Sequence, residues 1–278
     1  MRPTTISSVW SYLSSHPMTG ALFTRDGDSY QPSGLTQGPW SPDAQHGGPP
    51  AALLAGAIER TPSDEEMVVV RVLVDLLRPV PLERLDLSTK LLRPGRRVQI
   101  IGVTLTHGHQ EVARAQGLRI RRADLDLPYE QSSKEISIPE EARAPELWED
   151  SGAFAKEAME IRMVDGDFSQ PGPGSAWFRL RVPVIEGQPT TGTERVAAAA
   201  DFGNGVSNLA GAQRKWLFIN PDLEIRLARP PVGEWVLLDS ESRLHDTGTG
   251  LATSVISDES GLLGTAAQSL YVAPMDTA

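Results

Sequence analysis

Asp201 follows the apolar run Val196-Ala197-Ala198-Ala199-Ala200 and precedes Phe202, so its carboxylate is expected to be partly desolvated. Desolvation raises a carboxyl pKa and lets the group take a proton from water. The same residue type is favoured at helix starts, so Asp201 also reads as the N-cap of a following helix. Gly203 and Gly205 come directly after it, and Gly47-Gly48 stand behind His46 at a comparable turn earlier in the chain. Backbone N–H groups at a glycine-bearing helix start can stabilise a developing oxyanion, because the dipole is favourable and no side chain holds the ligand off. His46 in that setting could serve as a general base or as a hydrogen-bonded structural residue. These residue types suit an activated water attacking a polarised carbonyl.

Other chemistries lack their residues. The chain has no cysteine, which excludes disulfides, thiolate metal sites and a cysteine nucleophile. His107 and His109 fall in a predicted hairpin turn and His245 stands alone, so no metal site is expected. No G-x-S-x-G elbow is present, and Ser207 falls inside a predicted helix. Neither a phosphate-binding glycine loop nor a dinucleotide fingerprint after a strand occurs, so no cofactor is expected.

The net charge of −10 argues against an extended nucleic-acid interface, which wants clustered Lys and Arg. Between Asp124 and Asp167 stand 13 acidic and 4 basic side chains, a local net of −9. That run carries Pro128, Pro139 and Pro145 and leads to Pro171-Gly172-Pro173-Gly174, which reads as a solvated connector. Hydrophobic residues make up 40% of the chain, ordinary for a globular protein, and no run approaches a membrane span. The N-terminal residues lack the pattern of a signal peptide, so a cytoplasmic location is expected.

The elements that must position these residues are duplicated. Arg78-Pro79 with Glu83 corresponds to Arg229-Pro230 with Glu234 at an offset of 151, and Ala115-Gln116 with Leu118 corresponds to Ala267-Gln268 with Leu270 at 152. A one-residue insertion reconciles the offsets, and the repeat divides the chain into two domains. In the first, extended residues from Tyr30 to Trp40 lead to a proline-started helix over Ala51–Ile58. Strands follow at Met67–Val74, Leu85–Leu91, Val98–Thr106 and Glu111–Ile120, the last two joined at His107-Gly108-His109. The second repeats the order: Ala176–Val184 extended, a helix over Val206–Trp216, then strands Leu223–Arg229, Trp235–Arg243, Gly250–Ser257 and Leu263–Val272, with a hairpin at Asp258-Glu259-Ser260-Gly261. The expected class is α+β, two antiparallel sheets each wrapped around a central helix and paired edge to edge. This is a tandem hotdog, with a first domain over 1–122, the connector over 123–158 and a second domain over 159–278.

Several of these stretches resemble a known family. Gln45-His46-Gly47-Gly48-Pro49-Pro50-Ala51 is similar to the helix start of thioesterase-superfamily proteins. Ala199-Ala200-Asp201-Phe202-Gly203-Asn204-Gly205 resembles the second-half counterpart, as does Phe218-Ile219-Asn220-Pro221-Asp222-Leu223 running into Arg229-Pro230 and Glu234-Trp235. With Gln268 they resemble the double-hotdog acyl-CoA thioesterases of the bacterial thioesterase II type, more narrowly an actinobacterial branch, over roughly residues 20–273.

The resemblance implies hydrolysis of an acyl-CoA to free acid and CoA. An Asp at the second helix, a Thr or Ser on the next strand and a Gln on the last strand orient a water that attacks the thioester carbonyl directly. By position these are Asp201, Asn220 and Gln268, with an amide at 220 where the family has a hydroxyl; an amide still donates and accepts. Gln116 matches Gln268, yet the first half has Gln45-His46 where the second has Asp201, so one site is expected. Substrate contacts are expected at His46, Gly47, Gly48, Gly203 and Gly205, and Arg78, Arg226 and Arg229 read either as contacts to the CoA phosphates or as strand-edge charges. The implied partner is the acyl-CoA small molecule, with no nucleic acid and no membrane, and open sheet edges leave room for a homo-oligomer. Two rival readings use the same fold: an acyl-CoA binding protein without hydrolysis, favoured by Asn220, and a dehydratase, for which Asp43 and His46 are the available Asp–His pair.

Overall fold

Proline, glycine and β-branched runs set where the chain changes conformation. The computed structural model describes residues 20–126, 138, 143–209 and 216–275. The first half runs β1 (Phe23–Asp26), β2 (Ser29–Pro32), a 3-10 turn (Gly34–Thr36), α1 (Gly48–Glu59), β3 (Met67–Leu76), β4 (Leu85–Arg93), β5 (Val98–His107) and β6 (Gln110–Arg121). A π-helical turn (Phe154–Ala158) opens the second half, followed by β7 (Met159–Asp165), β8 (Gly174–Leu180), α2 (Gly192–Ala200), α3 (Gly203–Val206), β9 (Trp216–Ile219), β10 (Asp222–Leu227), β11 (Val236–Leu244), β12 (Thr249–Asp258) and β13 (Gly261–Pro274). Pro49 and Pro50 occupy the first turn of α1, where a missing N–H costs nothing. The predicted hairpin at 107–109 forms, with Gly108 at φ +59° supplying the left-handed residue that the turn needs.

The strands are antiparallel and bond in the order β1-β2-β4-β5-β6-β3-β10-β13-β12-β11-β8-β7, with β9 added to β13. Leu223 faces Val74 and Ile225 faces Val72 at the β3–β10 junction, which closes an edge of each half. The expected pair of sheets therefore forms one continuous hydrogen-bonded sheet. Helix α1 packs on β3, β5 and β6, and α2 on β8, β10 and β11. Leu53, Leu54 and Ile58 of α1 are buried in one core with Val72, Ile101 and Leu105, each worth about 1.5–3 kcal/mol when removed from water.

The two helices also pack on each other, and glycine makes this possible: a Cβ at Gly48 would lie 2.8 Å from Ala198 O, and one at Gly56 would lie 2.1 Å from Glu194 Oε1. Glu194 is fully buried, completes a capping box with Thr191 at the start of α2, and pairs with Arg60 at 2.6 Å. The end of α1 is held by the buried Arg119, which donates to the carbonyls of Ile58, Glu59 and Thr61 and to Gln99 Oε1. Carbonyls at a helix end otherwise lack partners.

Three expectations change. The second long helix is Gly192–Ala200, ahead of Asp201; of the predicted helix over Val206–Trp216, Val206 ends the short α3, Ser207 to Leu209 are not helical, Trp216 begins a strand, and 210–215 lie outside the described residues. Asp201 accordingly sits at the C-terminal cap of α2, and Phe202 is the residue preceding α3. The acidic segment is solvated at Glu149 and Asp150, but from Ser151 to Ala155 it turns into the core, with Phe154 fully buried and its N–H donated to Gln37 O at 3.1 Å.

Candidate active site

The site forms where the start of α1 meets the end of α2. Asp201 is buried, and each of its carboxylate oxygens has a donor: Oδ1 takes Asn220 Nδ2 at 2.7 Å and is approached by Gln268 Nε2 at 3.4 Å, while Oδ2 lies 2.8 Å from His46 Nδ1. Burial pushes the Asp201 carboxyl up, but the charge and hydrogen bond of His46, then the bonds from Asn220 and the Gly48 N–H, outweigh it and hold the group below the usual carboxylate range. The expected elevation through desolvation is thus reversed by a ring of donors. The Gly48 N–H lies 3.1 Å from His46 Nδ1. With Asp201 ionised, Nδ1 must carry the proton between the two side chains, which leaves the carboxylate as the acceptor for that N–H.

Asn220 comes from the link between β9 and β10, and Gln268 from the middle of β13. Gln268 also donates Nε2 to Asp201 O at 3.2 Å and accepts the Asn204 N–H on Oε1 at 3.0 Å. Sequence carry-over thus brings Asp201, Asn220 and Gln268 together, and the structure adds His46, from the other half, in direct contact. Gln116 is elsewhere: through the register Gln116–Leu73–Glu224–Ala267 it shares a sheet face with Ala267, the face opposite Gln268, and its Oε1 accepts from Arg71 at 3.0 Å.

The glycines admit the site's own side chains. A Cβ at Gly47 would lie 2.7 Å from Asp201 Oδ2, and one at Gly203 would lie 2.9 Å from both Gln268 Oε1 and Ser254 Oγ. Of the expected substrate contacts, His46, Gly47 and Gly205 line a cleft of about 920 Å³, counting its open mouth, and Gly48 and Gly203 do not. Asn204 N–H is already bonded to Gln268, whereas Gly47 lines the cleft at the start of a long helix and its N–H has no carbonyl acceptor among the described residues.

Aromatic rings make up much of the cleft wall: Trp40, Trp148, Trp216, Phe168, Phe202 and Phe218. Sequence reasoning assigned none of these to a cleft wall, nor Phe154, whose ring centroid lies 5.0 Å from that of His46. The signal for Phe154 was the apolar island Ala153-Phe154-Ala155 inside the acidic run. Among the described lining residues His46 and Asp201 are the ones with ionisable side chains. Arg229 is committed to Asp258 in a bidentate pair at 2.5 and 2.6 Å, Arg226 pairs with Glu224, and neither lines the cleft; Arg78 is exposed away from it. Asp43 is exposed and does not line the cleft, which removes the carboxylate that the dehydratase reading required. No helix among the described residues is long and apolar enough to cross a membrane.

With this geometry in view, comparison with known proteins is informative. The sequence model of the acyl-CoA thioesterase N-terminal domain matches residues 36–120, and that of the C-terminal domain matches 136–272. A hotdog-fold protein of Alicyclobacillus acidocaldarius superposes with a TM-score of 0.71 at 15% identity, over 91% of this chain and 96% of that one. The tesB protein of Mycobacterium avium subs paratuberculosis gives 0.64 at 18%, over 98% and 100%. The acyl-CoA thioesterase II TesB2 of Mycobacterium marinum gives 0.64 at 16%, again over 98% and 100%. At these identities the likeness is one of fold. No curated protein matches the chain. Both halves are matched, in order, by the paired domains of one family and carry its hotdog fold: the chain belongs to the acyl-CoA thioesterase family.

Proposed function

We propose that the chain hydrolyses an acyl-CoA thioester to the free acid and CoA by direct attack of a water, in a tandem hotdog of domains 1–122 and 159–278 joined by 123–158. The observation that carries this reading is the convergence of Asp201, Asn220, His46 and Gly47 at one aromatic-walled cleft. Asp201 and Asn220 belong to the polar cluster that orients the water beside the thioester carbon. Gln268 is a positioning residue, since its donors and acceptor go to Asp201 and Asn204. The Gly47 N–H, aided by the positive end of α1, stabilises the carbonyl oxygen as it gains charge. The aromatic wall receives the acyl group and excludes water from it.

A second reading, acyl-CoA binding without hydrolysis, is favoured by the crowded carboxylate of Asp201 and by the amide at 220. Thiol release from aliphatic C2 to C18 and aromatic acyl-CoAs, with Asp201→Ala alongside, separates the two. Release that the substitution abolishes supports hydrolysis. Tight binding of acyl-CoA with no release from any of them supports the binding protein.

A further inference from the structure

We infer that His46 is the proton acceptor of the site, its Nε2 taking a proton from the attacking water while Asp201 holds the ring; this rests on the thioester hydrolysis proposed above. The parts follow from how each lone pair is used. Asp201 spends both oxygens on Asn220, Gln268 and His46, so becoming the base would cost it those bonds. A histidine that donates Nδ1–H to a carboxylate keeps Nε2 as its acceptor nitrogen. No protein partner of Nε2 occurs among the described residues, and the ring lines the cleft with its side chain 12% exposed.

The ring is also held against rotation. It stacks on Phe202 at 4.6 Å between centroids and 30° between planes, with Phe154 tilted beside it at 5.0 Å. Phe154 and Phe202 beside it are uncharged, and Asp201 is the charged group in contact, so the carboxylate is what stabilises an imidazolium as it forms. The pair joins the two repeats: His46 precedes α1 and Asp201 ends α2.

The step balances. The water oxygen bonds to the carbonyl carbon as its proton passes to Nε2, and the carbonyl π pair moves onto oxygen beside the Gly47 N–H. Re-forming that double bond breaks the carbon–sulfur bond and leaves its pair on sulfur. The imidazolium returns the proton to the thiolate, giving acid and CoA thiol, with His46 neutral and Asp201 ionised at the end.

The test is kcat for thiol release against pH for the wild type, His46→Gln, and His46→Ala with and without added imidazole, together with ¹⁵N spectra of the wild-type imidazole. Removing a general base costs about 10²- to 10⁴-fold. His46→Gln is expected to lose that much in kcat, keep its affinity for acyl-CoA, and lose the acid limb that the wild type shows as Nε2 is protonated. Imidazole should restore part of the His46→Ala loss, and the ¹⁵N spectra should show Nδ1 protonated and Nε2 bare. An active wild type whose His46→Gln variant keeps both rate and acid limb overturns the inference, as do spectra with the proton on Nε2. A wild type that binds acyl-CoA and never releases thiol overturns the hydrolytic reading and this one with it.

Discussion

Gln268 bridges the turn that follows Asp201: its Nε2 donates to Asp201 O at 3.2 Å while its Oε1 accepts the Asn204 N–H at 3.0 Å. One side chain from the last strand thus fixes the turn between α2 and α3. Replacing it by alanine leaves buried backbone groups unpaired, a cost of about 1–3 kcal/mol, and misplaces the Asp201 carboxylate. Gln268→Ala is expected to lower kcat about 10- to 100-fold, with acyl-CoA affinity largely kept. Steady-state thiol release beside equilibrium acyl-CoA binding checks this split.

In the proposed site, position 220 supplies a donor for Asp201 Oδ1, here Asn220 Nδ2 at 2.7 Å. A threonine hydroxyl can donate there and accept from a water. Asn220→Ala should reduce kcat/KM by about tenfold through loss of one hydrogen bond to a charged group, and Asn220→Thr should recover most of it. Equal losses in both variants would mean that the amide geometry itself is needed.

Gly56 lies within α1, where replacement by alanine ordinarily stabilises by about 1 kcal/mol. Here the added Cβ would meet Glu194 Oε1 at 2.1 Å and Arg60 Nη1 at 2.4 Å, the two partners of a pair that joins the helices. The expected sign is therefore reversed. Gly56→Ala should destabilise by about 1–3 kcal/mol, the usual range for overpacking, seen as a lower Tm in thermal unfolding. A higher Tm would show that the pair swings aside freely.

Burial pushes the Asp258 carboxyl up, but hydrogen bonds from Arg229, Val232 N and Ser260 N, with the Arg229 charge, bring it below the usual range. A carboxyl lowered by folding adds stability above its unfolded pKa of about 4, and that stability is lost as pH falls through the folded value. Urea midpoints should fall on acidification in the wild type, and the fall should be shallower in Asp258→Asn.

Much of the scaffold was legible because local chemistry and tertiary packing agree. The hairpins at 107–109 and 258–261 carry glycine and polar turn residues between alternating strands, and the prolines at 49 and 50 mark the start of α1. The second helix was misplaced although Thr191 and Glu194 spell a capping box three residues apart, since Ala197 to Ala200 read first as an apolar approach to Asp201. Gln116 shows a sharper failure. The repeat is offset by 151 at one end and 152 at the other, and side chains in a strand alternate faces with period two, so the extra residue turns a matched glutamine outward. That Asp201, Asn220 and Gln268 meet was expected from the family pattern. The contact between His46 and Asp201 crosses 155 positions, and no periodicity reports such a meeting.

That meeting gives the duplicated gene a division of labour. His46 is furnished by one copy and Asp201 by the other; under the proposed chemistry, neither could decay without silencing its twin. Cleaving the chain within the acidic segment and supplying the pieces separately would make turnover a split reporter, reading out reunion of the halves by the return of thiol release.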